Sequence, residues 1–418
     1  MMKYHSYKDS GIDWLGEKHP IPKHWSVKRV KDLGNYQSGS FIDASEMDIE
    51  NPYPVYGGNG IRGLAKKYNH NGDYILIGRQ GALCGNINYA SGKFWATEHA
   101  VVVYKKKEYN LTWLGELFRV MNFNQYSLSA AQPGLSVDRI KRLELPIPTV
   151  EEQTAIAEYL DTKTQAIDKK VCLLEKKIGY YQELRKSLIN ETVTKGLDIN
   201  VKLKDSGIDW IGQIPEHWEV KRLKDCFHLF TGNSISDKSG FENPVDSIPY
   251  VATKDIDFYT GKITYDNGIY IPIVDKSFKR AKPNTTLICI EGANAGKKIG
   301  FTEQKVAFVN KLCAIKRNNQ INYDKYLYYF TQTNLFNSQF FSLLNGLIGG
   351  VSVSLIRQLN VLIPSKDEQV EIVEYLDSRL SQIDQFITNI QAQITTLKEL
   401  RKTLINDVVT GKIKVNNE

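Results

Sequence analysis

The segment KDSGIDWLG at residues 8–16 returns as KDSGIDWIG at residues 204–212, identical at eight of nine positions. PKHWSVKRVKD (22–32) returns as PEHWEVKRLKD (215–225), with eight of eleven positions shared. Near the end of each half, LSVDRIKRLELPIPTVEEQ (135–153) answers VSVSLIRQLNVLIPSKDEQ (351–369), EYLD recurs at 158–161 and 374–377, and LRKSLIN (184–190) answers LRKTLIN (400–406). Between these blocks, over about residues 35–142 and 227–358, the two halves diverge almost completely. A period near 200 residues is far longer than the roughly 20–50 residues of solenoid repeats. The chain is therefore a duplicated unit with a constant, variable, constant plan and internal pseudo-two-fold symmetry.

The second constant part reads as a helix in both halves. Pro148 and Pro364 close extended segments, and Thr149-x-x-Glu152 and Ser365-x-x-Glu368 follow as capping boxes. Downstream, Leu160, Thr164, Ile167, Val171, Leu174, Ile178, Tyr181, Arg185 and Leu188 stand at alternating steps of four and three. Leu376, Leu380, Ile383, Ile387, Ile390, Ile394, Leu397, Arg401 and Leu404 repeat the register. The mean step of 3.5 is the coiled-coil period. Gly196 and Gly411 stand just past the stripes, where helices commonly stop. Neither stripe can be buried by its own helix, so the pattern predicts two long helices packed against each other. Symmetry between the halves makes them antiparallel.

Composition adds bounds. With 418 residues, two or more domains are expected. Hydrophobic residues at 42% and charged residues at 24% fit a soluble globular protein. The net charge of +7 fits either a solvated surface or a polyanionic partner. The five cysteines are scattered, with no C-x-x-C pair, which points to neither disulfides nor zinc. No leader is legible in MMKYHSYKDS, and no apolar run approaches the ~20 residues that span a bilayer. A cytoplasmic location, with no membrane contact, is the expectation.

The variable middles carry short strand-like runs, YILIG (74–78), HAVVVY (99–104), TLICI (286–290) and KLCAIK (311–316), punctuated by Gly and Asn. NPYPVYGGNGIRGLAKKY (51–68) and YVATKDIDFYTGKITY (250–265) mix Gly with polar and aromatic residues suited to base edges. One weak common core survives. LIGRQGALCGNI (76–87) answers ICIEGANAGKKI (288–299), a strand and a glycine-bearing turn whose flanking polar groups differ.

Catalytic motifs fail. GANAGKK is one residue short of a phosphate loop between its glycines, and Lys298 stands where Ser or Thr should hold magnesium. NPYP lacks the second proline of an amino-methyltransferase site, neither H-E-x-x-H nor G-x-S-x-G occurs, and Glu303-Gln304-Lys305 is only a fragment of a nuclease pattern. His99, in an apolar run, reads as a hydrogen-bonded core histidine.

The doubled GIDW-(L/I)-G…P-x-HW blocks, the doubled EQ…EYLD helices ending in LRK-(S/T)-LIN and the two divergent middles together resemble the DNA specificity subunits of type I restriction–modification systems. The resemblance covers the whole chain. It implies an α+β fold with two globular target recognition domains of mixed β-sheets and helices, joined by two long antiparallel coiled-coil helices. The expected division is 1–150 and 201–366 for the recognition domains and 151–200 and 367–418 for the spacer helices. The family's specificity subunit is non-catalytic and reads a bipartite site on double-stranded DNA. Two modification (methyltransferase) subunits supply S-adenosylmethionine-dependent adenine methylation. Two restriction (motor/endonuclease) subunits supply ATP- and Mg2+-dependent translocation and cleavage. No cofactor is expected in this chain.

Chemistry alone nominates Asn59, Arg62, Lys66, Arg79, Gln80 and Asn86 in the first middle, and Thr253, Lys254, Asn294, Lys297 and Lys298 in the second, for DNA contact. Trp14, Trp25, Trp210 and Trp218, with Tyr159 and Tyr375 of EYLD, are candidates for partner docking; the tryptophans can equally pin the chain ends onto the helices. Three rival readings are a methylation-only complex, a coiled-coil assembly protein without DNA readout, and an enzyme with a degenerate motif.

Overall fold

The computed structural model describes residues 3–16, 19–81, 83–127, 134–208, 211–318, 322–344 and 349–415. The chain divides into two compact units, Met1–Leu173 with Gln393–Glu418, and Leu174–Ala392. Two long helices, Val150–Lys195 and Lys366–Val409, each contribute one part to each unit.

The repeated opening block folds the same way twice. Tyr7–Asp9 pairs with Pro20–Pro22, and Leu203–Asp205 pairs with Gln213–Pro215. The strands end in matching turns. The Asp9 and Asp205 carboxylates accept from the amides of Gly11 and Gly207, and the Ser10 and Ser206 hydroxyls accept from Ile12 and Ile208. Short polar side chains that bond two residues ahead specify such turns locally.

Next, Ser26–Arg29 pairs antiparallel with Glu144–Ile147, and Glu219–Arg222 pairs with Asn360–Ile363. Each two-stranded ribbon joins the constant block to the segment just before a long helix. The variable middle is thus inserted between two paired strands, so its entry and exit are held together whatever its sequence.

The middles share a scaffold despite their divergence. In the first unit, sheet order is 60–65, 53–57, 93–96, 70–71 in one sheet and 34–38, 100–105, 74–78, 87–90 in the other. In the second, 270–272, 247–251, 306–308, 280–281 and 227–231, 312–317, 286–289, 299–301 repeat that order. Each first-named sheet contains one parallel pair, Trp95 opposite Val55 and Tyr250 opposite Ala307. The expected mixed sheets are present, and the common core extends well beyond the single strand and turn legible in the sequence.

The helix starts are the most connected points. Thr149 and Glu152 exchange both capping hydrogen bonds, at 3.3 and 3.2 Å, and Ser365 Oγ accepts from the Glu368 amide at 3.3 Å. The same glutamates reach the constant blocks. Trp25 Nε1 donates to Glu152 at 3.1 Å and Trp218 Nε1 to Glu368 at 3.0 Å, with His24 and His217 beside them at 3.0 and 2.8 Å. Each neighbouring glutamine faces inward. Gln153 donates to the Pro148 carbonyl and accepts from the amide of Asn110, the N-cap of helix Leu111–Met121. Gln369 donates to the Pro364 carbonyl and accepts from Tyr323, the N-cap of helix Asp324–Phe330.

The same tryptophans receive the opposite helix ends. A Cβ on Gly411 would lie 2.9 Å from Trp25, and one on Gly196 would lie 3.4 Å from Trp218. Within each unit, the start of one long helix and the end of the other therefore meet at one indole, and the pair is antiparallel. All stripe residues are buried or half-buried, as the period predicts. Asp168 pairs with Arg401 at 3.0 Å in the first unit, and Arg185 with Asp384 at 3.7 Å in the second. These are the same two repeat positions with the helices' roles exchanged. Tyr181 stacks on Phe386 at 5.6 Å. Among the described residues, no helix is long and apolar enough to cross a membrane.

Gln369 is fully buried. Gln369→Ala strands the Tyr323 amide and the Pro364 carbonyl, a loss expected at about 2–4 kcal/mol. Gln369→Glu buries a carboxylate against the Pro364 carbonyl with no donor between them, and at neutral pH is expected to cost at least as much as alanine. Denaturant unfolding of the three proteins checks the order.

Candidate nucleic-acid interface

In the first unit the hairpin 53–57/60–65 turns over Gly58 and Asn59 and presses on the end of strand Tyr74–Gly78. A Cβ on Gly78 would lie 2.0 Å from the Gly58 carbonyl oxygen, so only glycine permits the approach. The result is an open cleft of about 610 Å3, lined by Asn59, Ile61, Arg62, Gln80, Leu83 and His99 among others.

The cleft gathers Asn59, Arg62 and Gln80, three of the residues nominated from sequence. Asn86 joins them by donating to the Asn59 side-chain oxygen. Arg79 is tethered at the border, its guanidinium 3.1 Å from Ser38 Oγ and its amide bonded to the His99 carbonyl. Lys66 is not part of this group. It borders a separate hollow with Glu46, Asp48 and Trp95.

His99 is a correction. It precedes strand Ala100–Lys105 rather than lying inside it, and its side chain is 37% exposed in the cleft wall. Nε2 lies 3.1 Å from Glu98, while Nδ1 is buried without a hydrogen-bond partner. An apolar run on one side of a histidine places its backbone near a core; it does not say which way the ring points. The exposed Ile61 and Leu83 were also missed, because a lone apolar residue in a loop carries no periodicity.

In the second unit the corresponding strand is Thr286–Cys289, followed by the turn at 291–298. Isolated bridges tie Gln80 to Gly134 and Glu291 to Gly350, fixing Gln80 and Glu291 as equivalent positions. Gly81 and Gly292 (φ 89° and 84°) and Gly85 and Gly296 (φ 85° and 72°) share left-handed backbone. On this common frame the polar groups differ: Arg79 against Ile290, Gln80 against Glu291, Leu83 against Asn294 and Asn86 against Lys297.

Lys298 Nζ donates to the Thr253 carbonyl at 3.2 Å and so braces the turn against the segment after strand 247–251. Lys254 is exposed, and Asn294 forms the turn through its carbonyl. Lys297 borders a cleft of about 1050 Å3 together with Phe258 and Tyr259. These rings, 48% and 55% exposed, are edge-to-face at 5.1 Å. Their loop is held by Asp257. Burial works against its charge, but the Thr260 amide and hydroxyl and the Tyr259 amide outweigh that and keep the carboxyl below its ordinary range.

Of the residues nominated for docking, Trp25 and Trp218 are interior, 1% and 0% exposed. Trp14 is half-buried and donates to the Glu144 carbonyl at 2.6 Å. Tyr159 and Tyr375 are half-buried beneath Lys163 and Arg379, each cation 5.6 Å from its ring. Trp210 lies outside the described residues.

A family model described as a type I restriction modification DNA specificity domain matches residues 22–174 and 215–396. The EcoprrI specificity subunit of Escherichia coli is 50% identical over 139 residues, covering 32% of this chain and 34% of that protein. The MjaVIII specificity subunit of Methanocaldococcus jannaschii is 23% identical over 95% of both chains. Among solved structures, a chain from work on complex assembly and conformational transition of the type I R-M system aligns with a TM-score of 0.69 at 16% identity, over 94% of this chain and 99% of that one. The HsdS subunit of Thermoanaerobacter tengcongensis aligns at 0.52 and 16% identity, over 96% and 100%. At these identities the structures speak for the fold.

A Cβ on Gly296 would sit 2.7 Å from the Phe340 ring, whereas one on Gly292 meets nothing within 4 Å. Both alanine variants incur the left-handed penalty of about 1–2 kcal/mol. Gly296→Ala is expected to lower the thermal midpoint further than Gly292→Ala, read by calorimetry.

Proposed function

The chain belongs to the type I restriction–modification DNA specificity family, and on that premise we propose that it reads an asymmetric bipartite DNA site, one half-site per unit. The observation that carries this is the matched pair of glycine turns. One scaffold presents Arg79, Gln80 and Asn86 in the first unit, and Glu291 and Lys297 at the positions of Gln80 and Asn86 in the second, where the buried Ile290 replaces Arg79. Gln and Arg pair with purine edges, whereas a carboxylate accepts from the cytosine amino group. Two frames with unlike donors and acceptors suit two unlike half-sites.

Phosphate contacts set register while these side chains discriminate bases. The length of the long helices sets the gap between half-sites. The chain is the non-catalytic component of its complex. Methyl transfer from S-adenosylmethionine belongs to two modification subunits, and ATP- and Mg2+-dependent work to two restriction subunits, in the cytoplasm. Tyr159, Tyr375 and Trp14 offer the partners half-exposed aromatic surface, while Trp25 and Trp218 hold the constant blocks to the helices.

Mapping methylated adenines in the source genome, with and without this gene, is expected to reveal one bipartite motif with unlike halves that vanishes on deletion. A palindromic motif would count against two unlike readers, and an unchanged map against DNA reading altogether. Gln80→Ala is expected to relax discrimination in one half-site alone, by about 1–3 kcal/mol. Removing one heptad from both helices shortens each by roughly 10 Å. The preferred gap is then expected to fall by about three base pairs at ~3.4 Å each.

A further inference from the structure

In the second unit, His228, Phe230, Arg280, Lys282, Lys316 and Arg317 line an open hollow of about 460 Å3. It is distinct from the glycine turn. Thr285 also lines it and precedes strand Thr286–Cys289, whereas the turn follows that strand's other end. Six steps of about 3.3 Å separate Thr285 from Glu291, where the turn begins, roughly 20 Å in all.

Strand register shows what occupies this place in the first unit. Lys316 pairs with His228 as Tyr104 pairs with Asn35, and Ala281 pairs with Val306 as His70 pairs with Phe94. Thr285 falls at the position of Tyr74, one residue before the matched pairs Thr286–Ile315 and Ile75–Val103. In the first unit these rings close the space. His70 lies 5.2 Å from Phe94 and 5.6 Å from Tyr74 between centroids, and its Nε2 is 2.7 Å from the Tyr104 hydroxyl. In the second unit the shorter Ala281, Thr285 and Val306 leave the space open, and Lys316 stands where the Tyr104 ring did.

The charges are only partly answered. Asp324 pairs with Lys316 at 2.8 Å and Arg317 at 3.4 Å. The Asp275 carboxyl lies below its ordinary range, chiefly through Ser277 and in smaller part through Arg280. Arg280 uses one nitrogen on the Pro272, Ile273 and Asp275 carbonyls, while its Nε is buried without a partner. Lys282 is exposed and takes no part in these ion pairs. His228 and Phe230 stack at 5.4 Å along the wall. Gathered like charges destabilise a compact fold, and an anion in the hollow relieves them.

We propose that this hollow is a phosphate-binding site that takes the backbone of duplex DNA. The proposal rests on the DNA-reading role above. The roughly 20 Å between hollow and turn spans about six base-pair steps of 3.4 Å, so one duplex reaches both. A free nucleotide shares the phosphate chemistry, and the test separates the two.

Affinity of the assembled complex for its target duplex and for an unrelated duplex is measured across salt concentrations. For Lys282→Gln, the slope of log affinity against log salt is expected to fall by about one, with both duplexes weakened by the same factor. Lys238→Gln removes an exposed lysine outside the hollow and is expected to leave the slope unchanged. Equal thermal midpoints confirm that the variants fold. Equal slopes for Lys282→Gln and wild type overturn the proposal. So does calorimetric binding of ATP that Lys282→Glu abolishes while the DNA slope stays constant, which reassigns the hollow to a free nucleotide. Failure of Lys282→Glu to assemble, with unchanged slope, overturns it in favour of an acidic protein partner. A slope change in a complex with no sequence preference upholds the phosphate site and overturns the base-reading role instead.

Discussion

Everything in each unit is referred to a glutamate and a glutamine at the first turn of a long helix. Glu152 and Glu368 stand at their helix starts, where the aligned peptide dipoles favour negative charge. Each also accepts from a buried indole and a histidine of the constant block. Gln153 and Gln369, facing the other way, tie the same turn to the start of a helix in the variable middle. Three otherwise separate parts thus meet over two residues. Buried polar groups satisfied on every side specify one arrangement strongly, because each lost partner leaves a desolvated group behind.

That joint explains how the middles could diverge. Their ends are clamped by the ribbons Ser26–Arg29/Glu144–Ile147 and Glu219–Arg222/Asn360–Ile363, so loop closure is settled outside the variable sequence. Inside, the central strands are buried on both faces and ask for unbroken apolar runs, with glycine at a few close approaches. The turns and strand ends are left open. Gln80 can become Glu291, and a plug of aromatic rings can become a cationic hollow, without altering the pairing of strands. The variable polar groups and the folding chemistry occupy different side chains of the same elements.

Much of this was legible beforehand. The long helices announced themselves through a 3.5-residue stripe, the capping boxes at Thr149 and Ser365, and the glycines past their ends. All are patterns within a few residues, which local backbone geometry enforces. The matched glycine turns were legible for the same reason, since left-handed backbone at Gly81, Gly85, Gly292 and Gly296 narrows the residue choice. Among the nominated contacts, Asn59, Arg62, Gln80 and Asn86 do converge, whereas Lys66 turns to another hollow and Lys298 is a brace.

The sequence by itself determined the duplication and the antiparallel helix pair, because repeats and periodicities are written along the chain. Only the tertiary structure decided that Glu152 meets Trp25 across 127 positions and Glu368 meets Trp218 across 150. It alone turned His99 out of the core and set four cations around one hollow. Such encounters depend on which faces of distant strands are brought together, and no local pattern of residues encodes that.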